Sequence, residues 1–184
     1  ADRVKPGATI AITGGSRGIA NIAEVIKAVA SWVKDQGAQP FLIPAMGSHG
    51  GGVAEGQREI LEGYGMTEEY VGAPIKATME VEQIPASDIK LPVYMDKYAY
   101  EADGVILVNR VKPHTDFRGK YESGLVKMSV IGLGKHTQAL AVHRFGVHGL
   151  RDLIPQVAQK IFESGHVLGG IALIAAGLLA TLSS

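Results

Sequence analysis

The sequence predicts an α/β fold: a layered, mostly parallel sheet with helices on both faces. Three observations carry this. Residues 8–13 (ATIAIT) form a short apolar, β-branched run, the composition of a buried strand. A glycine break follows at Gly14 and Gly15, and from residue 20 to residue 36 apolar side chains (Ile22, Val25, Ile26, Val29, Val33) recur at helical spacing up to Gly37. The same strand–glycine loop–helix order then repeats over residues 40–45 (PFLIPA), 47–52 (GSHGGG) and 53–64. That alternation is the mark of a parallel sheet covered by helices.

The later elements follow from the same rules. The two prolines of 40–45, Pro40 and Pro44, argue for an edge strand or a short ladder. Residues 75–84 read as an extended strand, 90–94 as a short one and 98–102 as a helical turn. Residues 104–109 (GVILVN) are the clearest central strand in the chain. A polar loop over 111–119 is expected next, then helices over 123–131 and 149–164 and a final buried strand over 170–174. The apolar stretch 167–182 is broken by glycines and is short for a membrane span, which needs about 20 residues. No internal repeat is evident.

Composition narrows the function. The 184 residues carry 18 Lys plus Arg and 18 Asp plus Glu, so no overall field favours nucleic acid or an anionic membrane. There is no cysteine, which removes disulfides, thiolate metal ligands and cysteine nucleophiles. It fits a reducing compartment and a cytoplasmic location. Acid/base and metal-ligating capacity rests on His49, His114, His136, His143, His148 and His166, the last expected at the surface. Residues 1–7, charged and containing Pro6, do not read as a signal peptide.

In an open α/β sheet, ligands bind beyond the carboxyl ends of the strands. Three predicted loops meet there, at residues 14–19, 47–52 and 109–119, and they carry Arg17, His49, Lys112 and His114. The first, Thr13-Gly14-Gly15-Ser16-Arg17-Gly18-Ile19, is close to a Rossmann-like dinucleotide loop, but Ala20 replaces its last glycine and no Tyr-x-x-x-Lys pair follows. Arg17 could bind a carboxylate there, or the loop could be a plain tight turn. In the second loop, four glycines leave the imidazole of His49 uncrowded, as a general acid/base requires; the alternative is an exposed or capping histidine. In the third, Pro113 fixes the backbone before His114. Downstream, Lys127 sits among Leu125, Val126 and Met128, a setting that suits either a desolvated reactive amine or a snorkelling lysine.

In their order, GSHGG, NRVKPH, SGLVKM and the following His143-Arg144 resemble the nickel-pincer lactate racemase family. The resemblance runs from about residue 8 to residue 143. It implies an amino-terminal catalytic domain, 1–184, with a second domain of the same protein completing the site. It implies a nickel-pincer nucleotide cofactor, with Lys127 its anchor, Gly47 and Gly50 beside it, and His143 (or His136) the nickel ligand. His49 and His114 match the paired acid/base histidines, and Arg17, Ser48 and Lys112 fall at the substrate, a small 2-hydroxy acid. In the implied reaction the C2 hydrogen leaves as hydride while one histidine takes the hydroxyl proton. Return to the other face of the planar keto acid inverts the centre.

Two features depart from the family. Gly14 stands where the lactate enzyme has an aspartate, and the stretch between His114 and Lys127 is longer, which makes Lys120 an alternative anchor. Three other readings remain: an NAD(P)-dependent oxidoreductase, a histidine-ligated metal hydrolase, and a non-catalytic ligand-binding domain.

Overall fold

A computed structural model describes residues 3–16, 18, 20–111 and 123–174. Its centre is a four-stranded parallel sheet in the order β2-β1-β5-β6, formed by β1 (Thr9–Gly14), β2 (Gln39–Pro44), β5 (Gly104–Val111) and β6 (Val167–Ile174). Alternation along the strands sends side chains to two separate cores. Ile10, Ile12, Leu42, Ile106 and Val108 face α1 (Ile22–Asp35), Leu61 of α2 (Ala54–Gly63) and Val71 of α3 (Glu68–Val71). Ala11, Phe41, Ile43, Val105 and Leu107 face the opposite layer. That layer holds a small antiparallel sheet of β3 (Val81–Ile84) and β4 (Val93–Asp96), and the helix α4 (Lys97–Glu101). It also holds α5 (Leu125–Lys127) continuing as a π-turn over Met128–Gly132, then α6 (Lys135–His143), α7 (Gly146–His148), a second π-turn over Gly149–Leu153, and α8 (Ile154–Glu163). The predicted α/β sheet with helices on both faces is therefore what the chain forms.

Strand order makes β1 the switch point. The chain leaves β1 through α1 to reach β2 on one side, and later places β5 on the other. The β1–β5 ladder ends at Ile12↔Ile106, whereas β1 stays paired with β2 to Gly14↔Pro44. The carboxyl ends of β1 and β5 thus part, and the Thr13 hydroxyl spans the gap by accepting from the Val108 N–H at 2.9 Å. Thr13→Val leaves that buried N–H unpaired. The expected loss is about 1–3 kcal/mol, read as a lower denaturant midpoint at unchanged slope.

Several elements differ from expectation. Only Val81–Ile84 of the predicted strand 75–84 is a strand, and it pairs with β4 rather than joining the main sheet. Ile75 instead makes a single parallel bridge to Leu42 on the outer edge of β2, where Leu42 N–H donates to Pro74 O and Lys76 N–H to Leu42 O. The two prolines of β2 are accommodated because β2 is an edge strand. The predicted helices 123–131 and 149–164 each contain a π-turn. At the first, Gly132 lies so close to Ala45 O that an added Cβ would stand 2.8 Å from it. The final strand begins at Val167 and is largely exposed rather than buried, because β6 is the other edge of the sheet. His166 is half-buried, its ring stacked on Tyr100 at 4.8 Å between centroids, and desolvation lowers its pKa. Among the described residues no helix is long and apolar enough to cross a membrane.

Candidate active site

The loops after β1 and β2 and the end of β5 converge at one edge of the sheet. Ser16, in the first loop, has its hydroxyl 2.5 Å from His49 Nδ1 in the second. Arg110, near the end of β5, donates to Gly18 O at 3.4 Å. Asn109 Nδ2 donates to Gly124 O at 2.8 Å, tying β5 to the turn that starts α5. The helical segment after that turn covers the same edge: a Cβ at Gly15 would meet Met128 Cε at 3.3 Å, and one at Gly47 would meet Ile131 Cγ2 at 3.1 Å. Residues distant in sequence are thus gathered where a parallel sheet places its ligands.

The second loop owes its shape to glycine. Gly47, Gly50, Gly51 and Gly52 all have φ between 62 and 68°, the left-handed region that side-chain-bearing residues rarely enter. Gly50 and Gly56 also touch, since a Cβ on Gly56 would stand 2.2 Å from Gly50 O. This backbone path leaves Ser48 and His49 exposed and keeps Gly47 buried. The loop is anchored from beneath by the fully buried Gln57, whose Nε2 donates to Gly47 O at 2.8 Å and to His49 O at 3.1 Å.

Of the predicted site residues, the structure brings Gly47, Ser48, His49 and Gly50 to this edge. Lys127 lies half-buried on α5, directly before Met128. His143 and the alternative His136 are exposed on α6, and His148, also exposed, pairs with Asp152 at 2.7 Å. Arg17, Lys112, His114 and Lys120 lie outside the described residues. Among the described residues no group of three or more His, Cys, Asp or Glu side chains could hold a metal ion. Gly14 faces the core: a Cβ there would stand 2.6 Å from Leu61 Cδ2, so any side chain displaces a buried leucine.

Sequence reasoning missed Ser16 as the partner of His49, and Gln57 as the support of its loop. Ser16 stands beside Arg17 in a loop read for its glycines and its charge, and nothing local signals that it reaches across to a second loop. Gln57 sits on a helix where a polar side chain reads as solvent-facing.

No protein-family model matches the chain, and no curated protein matches it.

Proposed function

We propose that this chain is the amino-terminal, acid/base-bearing domain of a 2-hydroxy acid racemase or epimerase of the nickel-pincer type. The observation that carries the reading is the placement of His49. It is an exposed imidazole on a glycine-built loop at the switch-point edge, with Ser16 fixed on Nδ1. A hydroxyl at Nδ1 orients the ring and biases its tautomer, so that Nε2 is the nitrogen that exchanges a proton with substrate. His114 follows β5, whose carboxyl end borders the same edge, and supplies the second acid/base. Two imidazoles on either side of one small molecule are what inversion through a planar keto acid requires.

Inversion at a carbon bearing both a hydroxyl and a carboxylate cannot easily begin with loss of a C2 proton, since the product would carry two adjacent negative charges. Taking the hydroxyl proton while the C2 hydrogen leaves as hydride avoids that charge. In this chain His49 removes or returns the hydroxyl proton on one face and His114 on the other. Arg17, or a residue of a second domain, neutralises the carboxylate, with Ser48 and Lys112 as further polar contacts.

The residue types suit the implied cofactor: an amine that can carry a covalent link and an imidazole that can ligate nickel. Lys127 is a half-buried lysine on the segment whose next turn, through Met128 and Ile131, packs against Gly15 and Gly47, and His143 is an exposed imidazole on α6. Lys127 would anchor the group, Gly47 and Gly50 would border it and His143 would ligate its nickel. When bound, that group supplies the hydride-accepting and hydride-returning chemistry. A cytoplasmic location belongs to the same reading.

The dinucleotide alternative is weaker at one identifiable place. Dinucleotide-binding folds hold the ribose with a carboxylate near the end of the second strand. Here β2 ends at Pro44 and continues as Ala45-Met46-Gly47.

Lys127→Ala tests the cofactor assignment. Protein purified from cells that make the cofactor is expected to lose most of its bound nickel and cofactor mass relative to wild type, with an unchanged circular dichroism spectrum. Equal nickel and equal intact mass in the two proteins would refute the assignment.

A further inference from the structure

Lys135 is fully buried, and so is its partner Asp96, with Nζ 2.9 Å from Oδ2. Burying an ion pair is costly, and well-packed apolar residues of similar volume often serve stability as well or better. Burial pushes the Lys135 ammonium down and the Asp96 carboxyl up, each opposed by the charge of the other. Lys135 also has φ 55°, a left-handed backbone that a residue with a side chain adopts at a cost. A buried charge and a strained backbone at one residue need a reason beyond filling the core.

The contacts of the ammonium supply one. It donates to Pro44 O, the last residue of β2, and to Gln57 Oε1 at 3.3 Å. An amide that accepts on Oε1 must present Nε2 on its other side. That side carries the two donations to Gly47 O and His49 O. The ammonium therefore sets which way the Gln57 amide faces. It holds the loop at its start through Pro44 and at His49 through Gln57. Asp96 keeps the charge in place and with its other oxygen caps α4, accepting from Ala99 N–H at 3.1 Å.

We propose that Lys135, secured by Asp96, is a positioning residue for His49, acting through the Gln57 amide; this rests on the acid/base role proposed above for His49. Lys135 does not reach substrate. It fixes the main chain at Pro44, just ahead of the His49 loop, and through Gln57 at Gly47 and His49, while Ser16 fixes the ring. An acid/base misplaced by about 1 Å loses on the order of 100-fold in rate.

Gln57→Met keeps the ion pair and helix α2 but removes both loop-holding donations. In the cofactor-loaded protein kcat is expected to fall about 10- to 100-fold, with KM changed far less, as for an interaction that matters in the transition state. The second readout is independent of activity. In ¹⁵N-histidine NMR, with the ring assigned by its loss in His49→Ala, wild type is expected to show one dominant His49 tautomer and Gln57→Met an averaged pair of nitrogen shifts. Should Gln57→Met not fold, the neutral double variant Asp96→Asn with Lys135→Met removes the orienting charge while keeping Gln57, and the same signature is expected. Unchanged nitrogen shifts and unchanged kcat in a folded variant would overturn the proposal. A wild-type protein without racemase activity would overturn the function proposed above, and the nitrogen shifts alone would then decide the positioning role.

Discussion

His49→Ala is expected to lower racemisation of the true substrate by about 100- to 10,000-fold, the range that a positioned general acid/base contributes. The fold should survive. His49 is exposed and lies outside both cores, and the left-handed glycines that shape its loop remain. Thermal midpoint and circular dichroism should match wild type while initial rates, followed by chiral chromatography, collapse. Binding of a non-reactive 2-keto acid should weaken little, because the imidazole exchanges a proton rather than carrying the carboxylate. His114→Ala should reproduce the loss of rate. Full activity in either variant removes that histidine from the mechanism.

The second large effect is on stability. Lys135→Met leaves the Asp96 carboxylate fully buried without its counter-charge and strips Pro44 O and Gln57 Oε1 of a donor. Removing one partner of a buried pair destabilises by about 3–5 kcal/mol. For a domain of this size that corresponds to a thermal midpoint lowered by roughly 10–15 °C. Adding Asp96→Asn should return much of the loss, since no charge is then stranded. Differential scanning calorimetry of the single and double variants separates the two contributions. A single variant as stable as wild type would mean that Asp96 is already neutral in the folded protein.

The residues behind these two effects were not equally legible in the sequence. The strands β1, β2 and β5 were readable because their apolar runs are short and lead into glycine-rich or polar loops, and in β1 and β5 because they are also β-branched. The loops that follow them were readable as a site for the same reason: strand, glycine, helix is a local pattern. His49 stood out within it, and the structure places it at the predicted edge. Ser16 did not, because its contact with His49 spans 33 residues and depends on how two loops fold over one sheet edge. Lys135 was still harder to find. It falls between the helices predicted over 123–131 and 149–164, where no element is expected, and its acceptor on Gln57 is 78 residues away. The strand predicted over residues 75–84 failed for a related reason. Its alternation is genuine, but alternation does not say which neighbour a strand will take, and Val81–Ile84 takes β4 in a separate sheet.

The function proposed for this chain turns on how the C2 hydrogen moves. The most direct measurement is to supply one enantiomer of a C2-deuterated 2-hydroxy acid to the cofactor-loaded full-length protein in ordinary water, and to follow chirality and deuterium together. The account predicts inversion with deuterium retained at C2, because the hydrogen travels as hydride and only the hydroxyl proton passes through the histidines. Inversion with deuterium lost to water would contradict it.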